Sequence, residues 1–221
     1  MHFEILVEDI SGKTALDILV PKIISNKDTF QIHFYKGIGQ IPGDLKSSSD
    51  PQKRILLDQL PRLIRGYGKT FAGYGDSYSA VLIIVCDLDS RCLSDFRKEL
   101  IDLVNESNPK PETYFCIAIE EGEAWYLGDL MALKKAFPRA KDAVLKSYTN
   151  DSICNTWELL ANAVFPGGAQ KLSQNGYQRI GKEKTVWAEE IAPHMDVDNN
   201  LSPSFCYFRD KLRRITNREQ S

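Results

Sequence analysis

Three carboxylate clusters, each closing a short apolar run, hold most of the chemistry that this sequence offers. Glu8 and Asp9 follow Phe3-Glu4-Ile5-Leu6-Val7, Asp87 and Asp89 follow Val81-Leu82-Ile83-Ile84-Val85-Cys86, and Glu120, Glu121 and Glu123 follow Tyr114-Phe115-Cys116-Ile117-Ala118-Ile119. Short β-branched runs that end abruptly in acids read as buried parallel strands whose carboxyl ends point into a site. Several carboxylates gathered there raise one another's pKa and cannot all stay ionised unpaired. A hard divalent cation, Mg²⁺ or Mn²⁺ in its place, is the simplest partner.

Asp87-x-Asp89 is the strongest local element. Leaving a strand, residues i and i+2 share a face, so both carboxylates can approach one ion; the same pattern also serves as a helix cap. Glu8, at the end of another strand, strengthens the metal reading. Glu120 to Glu123 suit the first turn of a helix, where carboxylates are favoured, and Glu120 or Glu123 is open as a further metal ligand. Trp125 and Tyr126 read as packing residues. Arg179 to Lys184 reads as a Gly-containing basic loop before a helix, from which Lys182 or Lys184 can reach the acids and neutralise transition-state charge. The pattern does not rank these two lysines.

The elements that must position these residues follow from periodicity. A helix is predicted from Thr14 to Ile24, capped by Ser11, and a second strand from Thr29 to Tyr35, running into Gly37-Ile38-Gly39. Gly37-x-Gly39 is either a plain turn or a place of close backbone approach. Pro42 to Asp50 reads as a surface loop, Asp50-Pro51 as the cap and first turn of a helix ended by Gly66 and Gly68, and Gly73 to Ser77 as another loop. A helix with Phe96, Leu100, Leu103 and Val104 on one face precedes the fourth strand. The β–α–β–α–β–α–β order predicts an α/β fold with a mainly parallel sheet flanked by helices. Residues 1–130 form this core; residues 131–221 read as a C-terminal helical extension packed on it.

Bulk properties exclude several classes. At 221 residues, 43% hydrophobic and 26% charged, the composition is that of a soluble globular protein. No apolar stretch approaches the roughly 18 residues of a membrane span, and no signal peptide is recognisable, so a cytoplasmic location is expected. Five scattered cysteines read as reduced thiols, and His2, His33 and His194 lack the spacing of a zinc site. Met1 to Leu130 carries 14 Lys/Arg against 20 Asp/Glu, and Met131 to Ser221 carries 14 against 10. An acidic front and a basic rear suit a metal site joined to a phosphate-gripping region, or ordinary surface variation. The rear cations fall in two groups, Lys134, Lys135, Arg139, Lys141 and Lys146 on one helix, and Arg209, Lys211, Arg213 and Arg214 near the end. Ser11-Gly12-Lys13-Thr14 resembles the end of a phosphate-binding loop, but Val7 stands where that loop needs a glycine. A degenerate P-loop NTPase is thereby an outside alternative.

Glu8 after the first strand, Gly37 and Gly39 after the second, and Asp87-x-Asp89 after the third resemble the Toprim domain. Ile119-Glu120-Glu121-Gly122-Glu123-Ala124-Trp125 is similar to the Glu-x-Glu-Ala-Trp signature of its defence-associated branch, related to RloB and OLD-type nucleases. The chain departs from the family in Asp9, where a glycine usually follows the first glutamate. The resemblance implies a Mg²⁺-dependent nuclease acting on DNA or RNA, with Glu8, Asp87 and Asp89 as catalytic and metal-binding residues. Glu123, and Glu120 with it, would complete the metal site, and Lys184 or Lys182 would contact the phosphate. It also implies a role in phage defence and dependence on an ATPase partner; homo-oligomerisation is open. The alternative is a catalytically silent subunit that keeps the Toprim shape for binding or regulation.

Overall fold

The computed structural model describes residues 1–42, 52–75, 78–152 and 154–218. Four strands are present among them: β1 (His2–Val7), β2 (Thr29–Phe34), β3 (Ala80–Asp87) and β4 (Thr113–Ala118). All pair in parallel, in the order β2-β1-β3-β4. Val7 lies opposite Val85 and Asp87 opposite Ala118, so the carboxyl ends of the strands form one edge. The crossovers are α1 (Ile10–Leu19), α2 (Leu56–Ala72) and α3 (Leu93–Asn105). This is the α/β architecture with a parallel sheet flanked by helices that the sequence predicts, consistent with a Toprim-like fold.

The period-2 alternation of the strands sorts their side chains onto two faces. Phe3, Ile5, Val7, Val81, Ile83 and Val85 pack with α1 and the rear of the chain. Leu6, Leu82, Ile84 and Cys86 pack under α2 and α3. Helices joined by turns make up the described residues of the rear, without a strand: α4 (Glu123–Leu127), α5 (Leu130–Ala136), α6 (Asp142–Leu145), α7 (Thr156–Val164), α8 (Gly168–Ser173), α9 (Tyr177–Ile191) and α10 (Pro203–Arg218). Trp125 of α4 stacks on Phe208 of α10 at 5.1 Å and meets Phe205 edge-on at 5.4 Å. Its indole N–H donates to Ser204 Oγ at 3.0 Å, so the expected packing role holds.

Several local expectations are corrected. Asp9, not Ser11, caps α1, which gives way to a tighter turn over Val20–Lys22. The Asp50-Pro51 cap and the loop over residues 43–50 lie outside the described residues, as do Asp76 and Ser77 of the Gly73 to Ser77 loop. The described start of α2 has Ile55 as its cap, and the helix runs through Gly66 and Gly68 to Ala72. Gly68 is there for packing: a Cβ on it would collide with the Pro109 carbonyl oxygen. Arg179 to Lys184 lies inside α9 rather than in a loop. The first basic group is divided between α5 (Lys134, Lys135), the turn after it (Arg139, Lys141) and the cap that follows α6 (Lys146), because Pro138 breaks the helix. Cys86 and Cys116 are buried free thiols as expected, whereas Cys92 and Cys154 are exposed. Among the described residues no helix is long and apolar enough to cross a membrane.

Candidate functional site

The chain leaves β1 toward β2 on one side and returns to β3 on the other, so the strand order reverses between β1 and β3. Open α/β sheets bind ligands in the crevice at such a switch point, outside the carboxyl ends of the strands. Glu8 directly follows β1, and Asp87 is the last residue of β3. The Asp87 backbone N–H points to Glu8 Oε2 at 3.4 Å. Helix α1 starts at the same crevice. Its cap Asp9 accepts from the Gly12 N–H at 2.7 Å and from Ser11 Oγ at 2.8 and 2.9 Å. Helix α4 brings Glu123 and Tyr126, and α9 brings Lys184. These six side chains line a cavity of about 40 Å³. A single water needs roughly 10–15 Å³, so an ion or a few waters can enter.

The cavity holds more negative charge than its cation balances. Lys184 Nζ lies 3.0 Å from Glu121 Oε1 and 3.1 Å from Glu123 Oε2. Burial draws the Lys184 pKa down, but Glu123, Glu121 and Asp87 outweigh it and hold the ammonium above its ordinary value. Burial, reinforced by Asp89 and Asp9, pushes Glu8 up to about 7. Burial and Glu8 raise Asp87 well above the usual carboxylate range. Burial also pushes Glu123 up to about 7, against Lys184 and with the help of Glu121 and Asp9. An isolated ion pair would lower the acid as it raises the base. Here both members rise, because one ammonium is shared among several carboxylates. Among the described residues the Asp87 carboxylate has no hydrogen-bond or ion-pair partner within 4 Å.

The model of the family described as Domain of unknown function (DUF4276) matches residues 7–213. The chain belongs to that family. Neither the curated proteins nor the solved structures give a match. The DUF4276 match spans every residue singled out above, from Glu8 to Lys184.

Of the predicted site residues in this DUF4276 chain, the fold brings together Glu8, Asp87, Glu123 and Lys184. Asp89 is near enough to raise the pKa of Glu8 but does not line the cavity. Its backbone turns to φ +51°, and its exposed carboxylate pairs with Arg91 at 3.2 Å, so the expected sharing of one face with Asp87 does not hold. Glu120 is engaged elsewhere: its carboxylate accepts from the Asn155 N–H and, at 2.7 Å, from the Thr156 N–H, capping α7. Lys182 is exposed, since two residues along a helix turn a side chain away from the face of Lys184. Lys13 pairs with Asp17 at 2.5 Å on α1, away from the phosphate position that an NTPase would need.

Gly37 and Gly39 both adopt positive φ. The close approach at Gly39 is to the chain itself, where a Cβ would collide with Ile55 and Asp58. The Gly37 N–H donates to the Glu8 carbonyl at 3.0 Å, so this turn helps to fix the backbone of Glu8. Asp9 and Glu121 belong to the predicted carboxylate clusters but have no individual role there, and Tyr126 reads only as packing. The Asp-x-x-Gly spacing of a helix cap is the signal for Asp9.

Among the described residues no group of three His, Cys, Asp or Glu side chains is arranged to hold a metal ion. The donor set still fits Mg²⁺, which takes oxygen ligands and is commonly held by one or two carboxylates, with waters and substrate phosphates completing its shell. Glu8 and Asp87 are the two carboxylates at the switch point.

Proposed function

We propose that this protein is a Toprim-type, Mg²⁺-dependent nuclease that hydrolyses phosphodiesters of DNA or RNA in the cytoplasm, working with an ATPase partner in phage defence. The observation that carries this reading is the convergence of Glu8 and Asp87 on one cavity at the switch point, with Glu123 and Lys184 opposite. Glu8 and Asp87 would hold the metal, which supplies charge stabilisation at the phosphate and an activated water when bound. Glu8 is also the candidate general base, because a carboxylate whose pKa is near neutrality transfers protons efficiently. Lys184 keeps Glu121 and Glu123 in place and brings positive charge to the scissile phosphate. Asp89, at the rim, would orient Arg91 and tune Glu8.

The test is Mg²⁺-dependent nicking of plasmid DNA, and of an RNA of similar length, by the wild-type chain, Glu8→Ala and Asp87→Ala. Each substitution is expected to reduce cleavage by at least about 100-fold while the fold persists. Undiminished cleavage by both variants at equal purity overturns the reading.

A second reading, a catalytically silent Toprim-like subunit, is favoured by the ammonium of Lys184 standing between two of the acids. It predicts no cleavage with Mg²⁺ or Mn²⁺ and no rise in melting temperature on adding either ion. A nuclease site should bind the ion and raise the melting temperature by mass action.

A further inference from the structure

The edge strand β4 floors a groove between α3 and α10, separate from the acidic cavity. Two adjoining hollows of about 360 Å³ each make up this groove, and both are lined by Arg97, Phe115 and Tyr207. One extends to Tyr114 and Lys211, and the other to Ile119. Because β4 runs parallel to β3, the Ile119 end of the groove lies on the same sheet edge as Asp87.

The groove is electropositive and aromatic at once. Lys211 Nζ lies 4.5 Å from the centre of the Tyr114 ring and 5.5 Å from that of Tyr207, and Arg97 Cζ lies 5.8 Å from the latter. Among the described residues Arg97, Lys211 and Arg214 have no carboxylate within 4 Å. The two acids at the groove are already engaged. Glu112 is held by Arg218 at 2.7 Å and by the Tyr114 hydroxyl, and Asp151 accepts from Ser202 Oγ at 2.9 Å and the Ser204 N–H at 2.6 Å. Burial, with Arg214 close by, lowers the Lys211 pKa, as expected where cations crowd without a counter-charge. Uncompensated cations on the helices flanking an edge strand repel one another and invite a polyanion.

We infer that this groove binds a single-stranded nucleic-acid segment, with phosphates against Arg97 and Lys211 and, beyond the rim, against the neighbouring Arg214, and bases stacked on Tyr207 and Phe115. Alternating cations and aromatic rings suit unpaired bases, whose faces are free, better than a duplex, whose bases are already stacked. A second copy of the chain docking by two-fold symmetry would set these cations against their own copies. An acidic peptide would satisfy the cations and leave the rings unused. The inference extends the nuclease reading by giving its site a strand to act on, but the two can fail separately.

The measurement is fluorescence anisotropy of a labelled oligothymidylate of about 12 nucleotides with the full chain in EDTA, where no metal-dependent cleavage occurs. Binding is expected to weaken at least about tenfold in Arg97→Glu/Arg214→Glu, whose positions are both exposed. The slope of log affinity against log salt is expected to shrink by roughly 1.4, about 0.7 for each lost phosphate contact. Tyr207→Leu should weaken binding about tenfold and Tyr207→Phe should restore it, because stacking needs the ring and not the hydroxyl. No binding at low salt, unchanged affinity in the charge-reversed variant, or equal affinity for a duplex or for polyglutamate overturns the inference. Binding with these properties in a chain that never nicks DNA or RNA would overturn the nuclease reading alone.

Discussion

Strand β1 delivers two glutamates four residues apart, and their surroundings could hardly differ more. Glu4 accepts from His33 Nε2 at 2.9 Å, from the Tyr67 hydroxyl at 3.3 Å, and lies 3.3 Å from His2 Nε2. His2 is itself fixed through Nδ1 to Thr29 Oγ1 at 2.7 Å. Burial pushes the Glu4 pKa up, but the hydrogen bonds from His33 and His2 outweigh it, and the carboxyl ends below its ordinary value. Glu8 has one long backbone hydrogen bond and the acids Asp9, Asp87 and Asp89 as neighbours, and it ends near 7. Burial raises both, and Glu8 the more because it lies deeper, but the partners decide the sign of the net shift. Glu4 belongs to the architecture, since its charge is satisfied by side chains that the fold supplies. At Glu8 and Asp87 the fold withholds that satisfaction. A buried charge left unbalanced lowers stability and persists where function needs it.

The largest way to break this contrast is to remove the cation of the acidic cavity. Lys184→Met leaves Glu121 and Glu123 without their ammonium, and taking one partner from a mostly buried pair costs about 3 kcal/mol. Urea unfolding at about pH 8 should show that loss, and lowering the pH toward 5 should recover much of it as the acids take up protons. A loss below about 1 kcal/mol would mean that Lys184 does not set the charge balance of the cavity.

The two glutamates also mark what a sequence can disclose. The convergence of Glu8 and Asp87 was legible, because unbroken runs such as Val81–Cys86 fix where a buried parallel strand ends. The choice between Lys182 and Lys184 was not, because Gly181 looks like a loop residue although it lies within α9. Glu120 was legible as an acid at the right edge, but its role as a cap depends on Asn155 and Thr156, which the fold brings across 35 and 36 residues. The Glu4 cluster left no mark either. His33 reaches Glu4 only through the parallel pairing of β1 with β2, and Tyr67 only through a tertiary contact across 63 residues.

A smaller effect separates the two sites by pH. Glu8 and Glu123 rise from 4.5 to about 7 on folding, so between those values the folded chain binds more protons than the unfolded one. Stability from the cavity is therefore present below about 4.5, falls as pH rises through the window, and is flat above about 7. Glu4 has the opposite sign: its contribution is present above 4.5 and is lost as pH falls through its lowered value. The metal-free chain should then be more stable at about pH 5 than at pH 7.5. Glu8→Gln/Glu123→Gln should flatten that profile. An unchanged slope in the double variant would remove these two acids as its source.

The smallest effect is the most diagnostic, because it tests sign rather than size. Asp87→Asn replaces a partly buried, unpartnered carboxylate by a neutral side chain of the same shape and removes its repulsion of Glu8. It is expected to stabilise the metal-free chain by about 1 kcal/mol while abolishing the proposed cleavage. Glu4→Gln is the matching change within β1, and it weakens the contacts to His33 and His2. It should cost about 1 kcal/mol and leave cleavage intact. Thermal unfolding of the two variants at pH 7.5, with and without Mg²⁺, reads both signs. Added Mg²⁺ should raise the melting temperature of the wild type and of Glu4→Gln, but not that of Asp87→Asn. If both variants shift in the same direction, partner number does not distinguish the acids that build the sheet from those that the site uses.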